Sequence, residues 1–378
     1  MNKFMLFIIA LYLILFPFYV FSSGTPQPAD MILAFGSIIF MLAKSSKSVL
    51  KKPVIKYLFS FVLLVSVINL TYCIYYFAIG VENKMFLPIL FYAFNFMFFL
   101  VILTLFKSSF FVKKKMYLIY KVIFVSLLIQ FFLGVLGIQG DSSLNLSRPA
   151  IFFNNPNQLA YYSLLMISIL TVLYLKFNFN KSIFILSLLF SIYLVIYSGS
   201  RAALSVFLLL IPVFSYQKKK MKSILVFLSL ILIAPTIINT NFVQEKIENI
   251  VIRSARNTIN NTSEIENRGY NRLLLYPEYL FYGAGENKND RFEKTGNLYL
   301  EIHSGLANTL FSYGFLGLFL FCMFVFKAIK KDLIQNSLLI LPAILYNITH
   351  QGLRSSLLFG LIAIIYVSSN YFDKKNHA

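Results

Sequence analysis

Leu306-Ala-Asn-Thr-Leu-Phe-Ser-Tyr-Gly-Phe-Leu-Gly-Leu-Phe-Leu-Phe-Cys-Met-Phe-Val-Phe326 runs for twenty-one residues without a charged side chain. A helix of about 20 mostly apolar residues crosses the hydrocarbon of a bilayer, so this stretch reads as a membrane crossing and decides the fold. Met116–Gly137 repeats the pattern with almost no charge. Working outward from these two, spans are predicted near 4–21, 31–43, 57–79, 85–106, 116–137, 158–175, 182–198, 202–216, 223–238, 304–326, 333–349 and 353–372. The second and eighth are short. The expected fold is an all-α polytopic integral membrane protein of about 12 transmembrane helices. It forms a single transmembrane domain over 1–378, with one long outer-face loop over 239–303 between the ninth and tenth spans.

Composition agrees with lipid as the solvent. Of 378 residues, 58% are hydrophobic and 13% charged, and the mean hydropathy is +0.75, far more apolar than a soluble globular domain. The net charge of +20 raises nucleic acid as a partner. The lysines, however, stand in short clusters between apolar runs, where membrane topology accounts for them and nucleic-acid binding is not expected. Cys73 and Cys322 both fall inside apolar runs, which supports neither a disulfide framework nor a metal site. The run Phe4–Phe21 is longer than the apolar part of a usual signal peptide and lacks a clear small-x-small cleavage site, so it reads as the first span.

The clusters also orient the chain. Lys44, Lys47, Lys51, Lys52 and Lys56 share one set of connecting segments with Lys107, Lys113 to Lys115, Lys218 to Lys220, Lys222, Lys327, Lys330 and Lys331. Basic loops stay cytoplasmic, which places both termini inside. The eight arginines behave differently: Arg148, Arg201, Arg253, Arg256, Arg268, Arg272, Arg291 and Arg354 all fall on or next to the opposite face. A cytoplasmic loop needs only positive charge, whereas guanidinium adds a planar fork that grips phosphate with two hydrogen bonds. The outer face is therefore expected to handle a phosphate, against the alternative that the long loop collected most of a few arginines by chance.

The long loop is nearly balanced in charge, with Glu245, Glu248, Glu264, Glu266, Glu278 and Glu301 among its acids, and reads as folded. Ser263 followed by Glu266 resembles a capping box opening a helix, which would carry Arg268 and Arg272 on one face before Pro277. Gly283 and Gly285 mark a turn. No internal repeat or second soluble domain is seen.

Three side chains stand out chemically. Arg201, in Ser198-Gly-Ser-Arg201, sits where a span emerges, and an ionisable group there is a functional candidate; the alternative is an arginine snorkelling to lipid headgroups. His303, in Glu301-Ile-His-Ser-Gly305, is placed to accept a proton from a sugar hydroxyl near neutral pH, or else to make a structural hydrogen bond. His350 carries the same ambiguity with less context. Acidic residues are absent from the predicted spans, and the cytoplasmic loops hold only Asp332 and Asp373. That disfavours a metal-dependent sugar-nucleotide transferase on the inner face and a carboxylate-driven proton transporter. No cofactor or metal is expected.

Four stretches together resemble the bacterial O-antigen polymerase and O-antigen ligase family of membrane glycosyltransferases. Phe153-Asn-Asn-Pro-Asn157 is similar to the family's Asn-Pro-Asn segment, carried here by Asn155, Pro156 and Asn157. Ser198-Gly-Ser-Arg201 looks like its Ser-Arg at a span end. An arginine segment runs to Gly283-Ala-Gly285. Most specifically, His303-Ser304, nine residues, then Gly314-Phe-Leu-Gly317 fits the pattern His-[Asn/Ser/Gln]-x9-Gly-x-x-Gly. The stretches cover roughly residues 150 to 320, in the family's order.

The resemblance implies a multi-span glycosyltransferase of the bacterial inner membrane, working on its periplasmic face. Its donor and acceptor would be oligosaccharides on polyprenyl diphosphate, and a chain-length regulator is a possible protein partner. Arg201 would hold the diphosphate together with Arg268 or Arg272, between which the spacing to the glycine turn does not choose. His303 would activate the acceptor hydroxyl, and the reaction would invert the anomeric carbon without metal. Polymerase is the first expectation, ligase to lipid A-core the second, and a flippase or other transporter of lipid-linked oligosaccharide a third.

Overall fold

A computed structural model describes residues 1–22, 24–44, 47–107, 111–140, 148–208, 210, 268–288, 291–292 and 301–376. Among them the chain is helical, with no strand. Its helices are α1 (Asn2–Leu15), α2 (Pro28–Ala43), α3 (Lys47–Leu50), α4 (Pro53–Ala78), α5 (Leu87–Leu105), α6 (Val112–Val135), α7 (Pro156–Phe177), α8 (Lys181–Ser198), α9 (Arg201–Leu208), α10 (Arg272–Leu275), α11 (Tyr279–Tyr282), α12 (Gly305–Ile329), α13 (Leu333–Thr349) and α14 (Ser356–Asn376). Six of these, α4, α5, α6, α7, α8 and α12, are long and apolar enough to cross a membrane. α1, α2 and α13 are shorter apolar helices, as is α14 over Ser356–Phe372. The described residues thus form an all-helical fold of polytopic membrane type. The predicted ninth span and the Ser263–Glu266 capping box lie outside the described residues.

Helix ends differ from the sequence-based expectation for local reasons. α1 stops at Leu15 rather than Phe21 because Pro17 has no N–H to continue the ladder: Phe16 still has helical geometry and donates to the Tyr12 carbonyl, while the Leu13 carbonyl accepts from Ser126 instead. α2 starts earlier, at Pro28. There the Gln27 side chain accepts from the backbone of the first turn while Asp30 accepts the Gln27 N–H at 2.9 Å, a reciprocal cap. Arg268 and Arg272 do not share a helix face. Gly269, at φ +69°, leaves right-handed geometry, so Arg268 stays in the turn before α10.

α7 is the centre of the bundle: every residue from Leu159 to Leu173 is buried. It packs against α6, α8, α13 and α14, while α12 packs against α4. Lipid offers apolar side chains as good a solvent as the protein interior, so packing and interhelical hydrogen bonds supply the association. The Ser126 hydroxyl reaches Tyr162 at 2.6 Å and the Leu13 carbonyl at 2.7 Å. Asn347 donates to the Tyr161 hydroxyl at 2.7 Å, and Asn336 to Ser369 at 3.0 Å. Each such bond contributes on the order of 0.6 kcal/mol.

The connections sort into two ends. At one, Asn154 donates to the Phe21 carbonyl at 2.8 Å, Arg148 to Gly199 at 3.3 Å, Asn287 to Lys84 at 3.3 Å and Arg268 to Thr349 at 2.5 Å. At the other, Lys44 reaches Asn2 at 2.6 Å, Tyr120 donates to the Asn180 carbonyl at 2.7 Å, and Lys176 pairs with Asp332 at 2.9 Å. The described arginines gather at the first end and the described lysine clusters at the second.

Candidate functional site

Three of the four motif stretches are junctions at the arginine end. Asn155 is the N-cap of α7, its side chain accepting the Asn157 N–H at 2.8 Å, and Pro156 fills the first helical position, where no N–H is needed. Asn157 then accepts from the Tyr346 hydroxyl at 2.9 Å through its carbonyl. Gly199, left-handed at φ +61°, closes α8, and Arg201 opens α9 with its side chain exposed. Ser304 caps α12 by accepting the Ala307 N–H at 3.2 Å, which fixes His303 one residue before the cap.

The remaining stretch, which ends in Gly283-Ala-Gly285, docks on the glycine end of the His303-Ser304 stretch. At Gly314 α12 breaks its helical geometry, with φ 67° and ψ −177°. The Phe311 and Ser312 carbonyls before the break accept from the N–H groups of Ala284 and Gly285, each at 2.9 Å. A methyl group on Gly283 would sit 2.5 Å from the Ser312 carbonyl oxygen, and one on Gly314 2.5 Å from that of Phe281. The two glycine motifs are thus the two sides of one seam. It holds the loop on α12, over a small core of Ala284, Phe292, Ile302 and Phe311.

Above the seam lies a buried ion cluster. Arg354 pairs with Glu286 at 2.5 Å and with Glu301 at 2.6 Å. Glu286 accepts from Asn308 at 3.1 Å, and its N–H donates to Asn69 at 2.9 Å. Burial pushes the Glu286 carboxyl upward, opposed chiefly by Arg354. Gln351, with its amide oriented to suit its neighbours, donates to the Ile302 carbonyl at 2.9 Å and accepts from Arg354 at 3.0 Å. This cluster ties the segment before His303 to the one after His350.

A cavity of 810 Å³ opens beside it. Its polar wall includes Asn157, Gln158, Glu301, His303, His350 and Arg354; Asp30 and Asn95 face it from α2 and α5, and Phe16, Tyr19, Phe94 and Phe153 make an apolar side. The His303 backbone N–H donates to the Arg268 carbonyl at 3.0 Å. Partial burial and the nearby Arg268 charge lower the His303 pKa below its ordinary 6.5, with Glu301 opposing. His350 stacks on Tyr346 at 4.6 Å, and Tyr346 stacks on Tyr161 at 4.7 Å. The Thr349 hydroxyl donates to the Tyr346 carbonyl at 3.2 Å and lies 3.0 Å from His350 Nδ1. Burial, with Arg268, His303 and Arg148, depresses His350 to about 4. Both imidazoles are neutral proton acceptors at pH 7.

The two loop arginines separate. Arg268 lies beside His303 and donates to Thr349. Arg272 is buried, at 1% exposure, with its guanidinium 5.2 Å from the Phe292 ring centre, and burial lowers its pKa to about 10. His303 and Arg268 are brought together; Arg201 follows Ser200 at the α8–α9 junction, where Arg148 also binds.

Sequence reasoning passed over Asp30 and Glu286, and left His350 and Arg354 without partners. A signal was present for the last two: a histidine and an arginine four residues apart in a short connection with no other charge. No family model matches the chain, and no curated protein matches it.

Proposed function

We propose that this protein is a glycosyltransferase joining polyprenyl-diphosphate-linked oligosaccharide units at the outer face of the bacterial inner membrane, an O-antigen polymerase in type. The observation that carries the proposal is the cavity at the arginine end, which neutral His303 and His350 both line, with Arg268 held beside His303 through a backbone hydrogen bond. The resemblance of the four stretches supplies the substrate class. In this reading twelve spans cross the membrane, both termini are cytoplasmic, and 239–303 is periplasmic. The sorting of described arginines and lysine clusters to opposite ends supports that orientation.

His303 takes the proton of the acceptor hydroxyl, whose oxygen bonds to the donor's anomeric carbon from the face opposite the diphosphate. The bond from that carbon to the phosphate oxygen breaks, and the lipid diphosphate leaves with the electron pair. In this reading Arg268, whose carbonyl accepts the His303 N–H, and Arg201, exposed at the α8–α9 junction, reach the leaving group from outside the cavity wall and balance its developing charge. Arg272 props the loop against Phe292. The apolar side of the cavity lies toward α1, α2 and α5, where a lipid-borne substrate can enter from the bilayer.

Deletion of the gene in its host tests the reading. Surface lipopolysaccharide collapsing to core plus one repeat unit is the expected outcome. Long chains persisting on the carrier lipid over a bare core would instead assign the ligase reaction. An unchanged ladder would remove both.

A further inference from the structure

The described part of the long loop turns its apolar side outward. α10 and α11 direct Arg272, Leu273, Tyr276 and Tyr279 inward to the small core around Phe292. Their outer faces carry Leu274 at 82% exposure, Leu275 at 50%, Phe281 at 74% and Tyr282 at 59%. A soluble loop with its own core reverses this arrangement, since contiguous exposed apolar patches mark contact with a partner or a membrane.

The patch also continues an apolar surface already assigned to lipid. The Phe281 ring meets Phe315 of α12 edge-on at 5.8 Å. From there Phe315, Leu316 and Phe319, each more than half exposed, run down the flank of a helix long and apolar enough to cross the membrane. Cations mark the neighbouring rim, with Arg291 over the Tyr72 ring at 4.9 Å and Lys288 over Tyr76 at 5.7 Å. Aromatic rings with adjacent cations are the composition of the headgroup zone.

We infer that residues 272–282 lie in the bilayer interface, with Leu274, Leu275, Phe281 and Tyr282 sunk among the acyl chains of one leaflet. Lipid is the occupant because the patch is continuous with a spanning helix. The seam at Gly283 and Gly314 holds the segment at that depth, and through it Arg268 and His303 are held at the level of lipid phosphates. The placement rests on the membrane-type fold and is independent of what the site transfers.

The chain contains no tryptophan, so Phe281→Trp and, separately, Leu274→Trp give one reporter each in full-length protein reconstituted into phosphatidylcholine vesicles. Bromine on the acyl chains is expected to remove roughly half of the emission or more, and iodide on both sides of the membrane to remove little. Quenching by iodide alone would place the segment in water and overturn the inference. Quenching by neither would show the patch covered by other parts of the chain, and would overturn it equally. Two reporters keep the test decisive if one variant does not fold.

Discussion

Gly283 and Gly314 face each other across the seam between loop and α12, each too close to the other's backbone neighbourhood to carry a side chain. The Ser312 carbonyl oxygen lies 2.5 Å from where a Gly283 methyl would stand, and the Phe281 carbonyl oxygen 2.5 Å from where a Gly314 methyl would stand. Both residues also have positive φ. Everything placed on the loop, including the neighbours of His303, depends on this approach.

Gly314→Ala therefore combines backbone strain with a clash against main chain, which cannot move aside. Gly137→Ala is the comparison, because Gly137 has φ +67° but open space around its Cα. Strain alone costs on the order of 1–2 kcal/mol. Thermal unfolding in detergent should show a larger fall in Tm for Gly314→Ala than for Gly137→Ala. Equal falls would show that the close approach carries no energy.

Arg354 serves two carboxylates, so the members of the cluster are not equivalent. Arg354→Met leaves Glu286 buried without its cation, a loss of about 3–5 kcal/mol, while Glu301 is partly open to solvent. Glu286→Gln keeps a balanced pair of Arg354 and Glu301 and retains an oxygen for Asn308. Size-exclusion profiles after extraction should show Arg354→Met aggregated and Glu286→Gln monodisperse.

These two predictions also show what could be read from sequence. The helical, membrane-type fold was legible because apolar length is a one-dimensional property, and Arg201, Arg268 and His303 stood out because charge is conspicuous beside lipid. Arg272 could not be told from Arg268, since one residue in left-handed geometry, Gly269, decides that the first stays in a turn while the second is buried. The pairing of Glu286 with Arg354 links residues 68 positions apart in sequence, and no local pattern announces it. Asp30 was hidden for the opposite reason: as a helix-capping acid it looks ordinary until the cavity beside it is seen.

The pH profile of transfer reports the site's electrostatics. With its pKa lowered by burial and Arg268, His303 stays neutral below pH 6.5, so the acid limb of activity should lie below that value. Removing the cation in Arg268→Gln raises the His303 pKa and should move the limb to higher pH. Stability follows the same sign at His350. The unfolded chain binds a proton near 6.5 and the folded chain only at about 4, so stability falls as pH drops through that window and is unaffected above it. A limb unmoved by Arg268→Gln would separate His303 from that charge.

Topology has its own test. In a Cys73→Ser, Cys322→Ser background, Lys288→Cys should react with an impermeant thiol reagent in intact spheroplasts. Reaction only after lysis would invert the assignment of faces.

The most direct measurement uses purified protein in vesicles with a polyprenyl-diphosphate-linked repeat unit as both donor and acceptor, wild type beside His303→Ala and Arg268→Gln. Loss of one catalytic group commonly lowers rate by about 10²–10⁴-fold. The account predicts lengthening lipid-linked chains with wild type, a loss of that order in His303→Ala at unchanged Tm, and a loss in Arg268→Gln with a small fall in Tm from the lost bond to Thr349. Full-length product from His303→Ala, or none from well-folded wild type, would contradict it.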